Sequence, residues 1–458
     1  MTNILKIIFF SLFGISLRIV FYYSEYRDYL KSLLIFDQAP YNFDNIKENY
    51  IYNLFHKTSS KSTNNYDFYN NTNHATVAIN YYSEYEFISK PISILYKYIK
   101  NYEEKYIFLF FIICDLLIAY LIISFKYRCI RNSLIKEEKK INNNENEKEE
   151  FNMRVFCFYL CNPISITSCI SFNLDILYTL LNLLLGYYSS NLILGSILAF
   201  ISLIISPGYI IITIIFYAYL LIQDFKKYCK NVLLIFLLFY LYISFGQIFI
   251  ECIPFESLKN LYYNYFMFKD IRPNLGMLWV LLPSSFLKYQ NYTLYMYLIY
   301  QIAFSIAVML QVNRINIKSY KYKNSLVYIL ILYITHIIDR YPSETHMIVI
   351  LCMLLQHYDI IKVKSFDLGV YCVFASYTLI IFRGFPYIQR RSGSSNYLFY
   401  QNLTYIISHI MVIMFSLTGI NDYINKNKRN EKDDEINNED KKIVEIKMKE
   451  NNIKVKID

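Results

Sequence analysis

The amino-acid sequence predicts an all-α, polytopic membrane protein of about twelve transmembrane helices. Hydrophobic residues make up 55% of its 458 residues, and the mean hydropathy is positive. The apolar residues gather in long continuous runs. About 20 apolar residues in helix cross a hydrocarbon core, and several windows meet that length. Only helices and closed barrels satisfy their backbone polar groups in lipid. Barrel strands alternate apolar and polar residues, so the continuous runs point to helices and exclude an ordinary soluble domain.

The elements follow in order. Residues 1–22 hold the first transmembrane helix, with an apolar run at 4–22. It contains Arg18 and lacks a small-residue cleavage site before the polar segment, so it reads as a retained signal anchor. Residues 23–105 form a loop whose insert at 57–77 (KTSSKSTNNYDFYNNTNHATV) is rich in Asn, Ser and Thr, with a glycosylation acceptor at Asn70. Residues 106–421 form the multi-helix membrane domain. Its apolar segments fall at about 106–125, 154–171, 175–188, 191–205, 208–222, 231–252, 292–311, 324–338, 345–358, 367–383 and 399–421. Pro163, Pro207 and Pro342 mark kinks or tight turns in or between them. The loop 136–152 and the charged tail 422–458 are low in complexity and expected to be disordered.

Charge sets the orientation. The loop from Lys126 to Arg154, the turn DFKKYCK at 224–230 and the stretch from Arg314 to Lys323 are basic, and the tail carries many Lys, which places all four in the cytosol. Parity then puts 23–105 in the lumen. Between 230 and 312 the runs 231–252 and 292–311 already supply the even number of crossings required. The segment DIRPNLGMLWVLLPSSF, 270–286, therefore does not cross. A short non-spanning piece near 274–287 lies on or dips into the lumenal face, with Trp279 either anchored at the interface or tucked against neighbouring helices.

The composition carries little chemistry of its own. The 49 Tyr read as compositional drift, since Tyr suits both interface and bundle interior. Cys114, Cys157, Cys161, Cys169, Cys352 and Cys372 sit in apolar runs without a CxxC pair or Cys/His cluster and read as buried small hydrophobes. The net charge of +10 is mostly loop charge. No metal site, cofactor or nucleic-acid partner is expected. No Ser or Cys nucleophile stands in a recognisable motif, so no catalytic residue is assigned.

Ionisable groups in or beside apolar runs are the candidates for function. Asp115 either bonds a neighbouring helix or contacts a ligand. Asp175 opens a helix. In THIIDRYPSETH the lumenal cluster Asp339, Arg340 and Glu344, with His336 and His346, either pairs within the loop or meets a ligand. In FRGFPYIQRRSGSSNYLFYQN, 382–402, Arg383, Arg390 and Arg391 depart from the positive-inside trend. With Gly393, Ser394, Ser395 and Asn396 they form a grip for phosphate and sugar hydroxyls, or a basic loop meeting lipid headgroups.

These segments resemble a known family. RPNLGMLW, RYPSETHMIVILCML, GSSNYLFYQNLTY and LCNPISITSC stand in the order of the corresponding stretches of the phosphatidylinositol-glycan class U family, a subunit of the GPI transamidase of the endoplasmic reticulum. The likeness covers about 154–421. It implies a bundle similar in architecture to the GT-C glycosyltransferases and a non-catalytic role, binding or presenting the GPI glycolipid or the attachment signal. It also implies other transamidase subunits as partners, among them a caspase-like catalytic one. Asn396 is carried over as the headgroup contact, with Gly393 and Ser394 shaping the backbone. Leu398 stands where the family has a second Asn, which leaves Gln401 or Asn402 for that polar contact. Pro273, Asn274 and Trp279 are expected to wall the site. The alternative is a lumenal GT-C-type mannosyltransferase using a dolichol-linked sugar. Such an enzyme needs a carboxylate base just after the first helix, often in an adjacent acidic pair. SEYRDY offers only Glu25 and Asp28, three apart.

Overall fold

A computed structural model describes residues 2–27, 30, 104–134, 153–173, 175–205, 210–249, 275–276, 278–313, 320–339, 342–361, 364–388 and 395–454. Every predicted apolar segment is helical over most of its described residues, and no strand occurs among the described residues. The helices are α1 (Thr2–Tyr23), α2 (Glu104–Leu134), α3 (Met153–Cys161), α4 (Pro163–Ile170), α5 (Asp175–Tyr188), α6 (Leu192–Ile205), α7 (Ile210–Gln223) and α8 (Phe225–Phe249). There follow α9 (Leu278–Ser284), α10 (Gln290–Asn313), α11 (Tyr320–Ile337), α12 (Glu344–Leu355), α13 (Tyr358–Ile361), α14 (Lys364–Ile388) and α15 (Ser395–Lys454).

Six helices are long and apolar enough to cross a membrane, seven if the bent pair α3–α4 counts as one span. The protein is thus a multi-pass membrane protein. Helices such as α5, α6 and α7, of 14 residues each, reach only about 21 Å at 1.5 Å per residue, short of a core of roughly 30 Å.

The core sits around α11 and α12. From Leu326 to Ile334 and from Met347 to Leu354 every residue is buried, as expected for helices apolar on all sides. The outer helices α1, α8 and α10 have few buried residues and present their apolar faces to lipid or to other chains.

Local chemistry explains the breaks. Pro163 has no N–H to continue α3, so the axis turns by 48° into α4. Asn162 caps the new helix, its Oδ1 accepting from the Ile164 N–H at 2.9 Å. Pro342 lies buried between α11 and α12, while Pro207 falls outside the described residues. The basic stretch expected as a turn at 224–230 is instead the start of α8. Asp224 caps it by accepting from the Lys227 N–H at 3.2 Å.

The tail also differs from expectation. The last helix runs on to Lys454 instead of ending near residue 424. After Gly419 the sequence has neither Gly nor Pro and is rich in Lys and Glu, both strong helix formers. Cys161 is exposed and Cys157 and Cys372 are half-buried rather than core, and the described cysteines are all free. The inserts 57–77, with Asn70, and 136–152 lie outside the described residues.

Candidate functional site

Two polar constellations stand out, at different depths of the bundle. The first lies within the membrane-spanning helices. Arg18 of α1 is fully buried and ion-paired with Asp115 of α2, its Nε donating to Asp115 Oδ2 at 2.7 Å. Its Nη1 donates to the carbonyls of Gly14 at 2.9 Å and Leu160 at 3.0 Å, and its Nη2 donates to Ser165 Oγ at 3.2 Å. Tyr159 Oη donates to the other carboxylate oxygen of Asp115 at 2.5 Å. The pair therefore ties α1, α2, α3 and α4 together, with both charges hydrogen-bonded. Asp115 bonds a neighbouring helix, and its partner Arg18 is what sequence reasoning missed.

The second constellation gathers the motif segments at one end of the bundle. Asn402 Nδ2 donates to the Gly276 carbonyl at 3.4 Å, so GSSNYLFYQN is joined to RPNLGMLW. Gln290 Nε2 donates to the Leu282 carbonyl at 3.1 Å and fixes α9 to the start of α10. Tyr297 Oη donates to the Asp339 carbonyl at 3.4 Å. Tyr377 Oη donates to Glu344 Oε2 at 2.6 Å, and Thr345 Oγ1 pairs with Ser168 Oγ at 2.5 Å. Deeper in, His409 Nδ1 and Tyr333 Oη are 2.7 Å apart. The His336 ring packs against His346 and His409, with centroids 5.3 and 6.4 Å away.

The opposite end carries the basic turns. There Gln223 Nε2 donates to Asn313 Oδ1 at 2.6 Å, Lys323 Nζ donates to the Asn313 carbonyl at 2.7 Å, and Gln311 Nε2 donates to Asn421 Oδ1 at 2.6 Å. The two ends are thus chemically distinct, one Lys-rich and one lined by the motif segments.

Residue by residue, α9 spans seven residues, about 10 Å, too short to cross. Trp279 is 5% exposed and belongs to the main core, so it is tucked against neighbouring helices rather than lying in an interface. Asn396 is exposed in the first turn of α15. Leu398 is fully buried, which explains an apolar residue there. The nearby polar contact is made by Asn402, also buried. Glu344 is buried and faces Tyr377 of α14, while Asp339 is half-buried. Pro273, Asn274, Arg340, Arg390, Arg391, Gly393 and Ser394 lie outside the described residues, as does the side chain of Ser395. No group of three or more His, Cys, Asp or Glu suited to a metal occurs among the described residues. Tyr377, Tyr297 and His409 were not anticipated; with so many tyrosines, no single one signals a role.

Fold and site together define a multi-pass α-helical membrane protein whose sequence motifs meet at the end away from its basic turns. Residues 12–405 match the family model described as GPI transamidase subunit PIG-U, and the chain belongs to that family. It is a subunit of the multi-subunit complex that attaches GPI anchors to proteins. No curated protein matches the chain significantly.

Proposed function

We propose that this subunit holds the GPI glycolipid at the lumenal end of its bundle and presents it to a caspase-like catalytic subunit in the endoplasmic reticulum, without itself forming or breaking bonds. The observation that carries this reading is the junction of Asn402 with Gly276, which fastens the start of α15 to the segment before Trp279. A helix N-terminus suits phosphate or sugar oxygens, and exposed Asn396 sits in the first turn of α15. Arg390, Arg391, Gly393, Ser394 and Ser395 immediately precede or open it in sequence and would add donors. Pro273, Asn274 and Trp279 would wall the apolar side, with Asp339 and Arg340 on the rim.

In this reading the twelve apolar helices cross as a GT-C-like bundle, the shorter ones spanning where the protein itself surrounds them. Positive-inside bias puts the Lys-rich end in the cytosol. A mannosyltransferase activity is less well supported. Glu25 is exposed at the end of α1, and Asp115 is committed to Arg18. The test is GPI attachment to a reporter in cells carrying Asn396→Lys. The reading expects attachment to fall while the variant still inserts and co-purifies with the protease-like subunit. Normal attachment would remove Asn396 from the site.

A further inference from the structure

Helices α1 and α3 line one groove and meet beside it. They are close at Gly14, where a Cβ would lie 3.3 Å from the Leu160 Cβ, and at Arg18, bonded to the Leu160 carbonyl. The open groove has a volume of about 740 Å³, within the ~300–1,000 Å³ typical of ligand clefts. Leu5, Phe9, Phe10 and Phe158 line it, with the exposed cations Lys6 and Arg154 beside them.

Along α3 the groove runs for roughly 12 Å, from Met153 to Cys161. Such a slot within the bilayer accepts an acyl chain. The two cations, one near the start of each helix, stand where a headgroup would lie. Lys can lay its stem along the apolar wall with its ammonium in the interface, and Arg offers phosphate a bidentate fork.

We propose that this groove is a binding site for an anionic glycerophospholipid of the cytosolic leaflet. One acyl chain lies against Phe9, Phe10 and Phe158, and the headgroup phosphate lies between Lys6 and Arg154. The proposal uses the orientation given above but not the glycolipid reading, and its test does not involve GPI attachment.

The test is photolabelling of the purified complex with phosphatidylserine bearing a diazirine in its acyl chain, compared with the phosphatidylcholine analogue, followed by peptide mass spectrometry. Peptides spanning residues 5–10 and 153–158 should carry the serine lipid in preference, by about fivefold for each cation engaged. Lys6→Gln with Arg154→Gln should bring its labelling down to the choline level. Lys6→Arg with Arg154→Lys should keep the preference, which separates a lost headgroup contact from a misfolded variant. Equal labelling by both lipids would show ordinary solvation by bulk lipid and overturn the site. So would a double Gln variant labelled like the parent, or the absence of label from both lipids, as when a partner helix fills the groove.

Discussion

Arg18→Met tests how the first helix is held. Arg18 gives its charge to Asp115 and bonds the Gly14 and Leu160 carbonyls and Ser165. With Met there, Asp115 keeps Tyr159 as a donor but loses its buried countercharge. Breaking a buried pair by removing one partner costs about 3–5 kcal/mol, whereas replacing both by apolar residues is often neutral or stabilising. The singles Arg18→Met and Asp115→Leu should therefore each lose about 3–5 kcal/mol. The double Arg18→Met/Asp115→Leu should lie within about 1 kcal/mol of the parent, giving a coupling well above the 0.5–3 kcal/mol usual for neighbouring sites. Steric-trapping or reversible unfolding of the detergent-solubilised protein reads these values. If the singles cost less than about 1 kcal/mol each, or if the double costs their sum, the pair does not fasten α1 to the bundle.

Other predictions concern the motif end and the helix seams. Tyr377→Phe leaves the buried Glu344 without its 2.6 Å donor and should cost about 1–3 kcal/mol in the same unfolding assay. Asn402→Leu removes the bond to Gly276. It should cost about 1 kcal/mol and lower GPI attachment to a reporter more than it lowers the amount of folded protein. Gly419→Ala places a methyl against the Ile361 carbonyl, where neither backbone can move aside easily. It should cost about 1–3 kcal/mol and loosen α15 from α13, read as faster hydrogen exchange in residues 358–361. Asn162→Ala removes the cap on α4 and should cost about 0.5–2 kcal/mol, with Asn162→Ser recovering most of the loss.

The helices were legible because lipid leaves the backbone little choice; the apolar runs became helices, and the run 154–171 broke into α3 and α4 at Pro163, as a missing N–H requires. The non-spanning character of the Trp279 segment followed from counting crossings between basic turns. Rotation about each helix axis was not legible. Parity assigns an end to Glu344 but not the face that turns it toward Tyr377, and nothing local indicates that Arg18 meets Asp115, 97 residues on. The helical tail was missed for a different reason, since its low hydrophobicity read as disorder while its propensity for helix went unweighed. At the candidate site the polar residue that joins two motifs, Asn402, was visible only as one of two substitutes for the Asn that Leu398 displaces.

The central claim is that the end of the bundle where Asn402 meets Gly276 contacts the glycolipid. Photocrosslinking of the assembled transamidase with a GPI precursor carrying a photoreactive headgroup tests it most directly. The account predicts adducts on the peptides around Asn396–Tyr400 and Leu275–Trp279. Adducts confined to other subunits, or to the opposite end near Lys323 and Asn421, would contradict it.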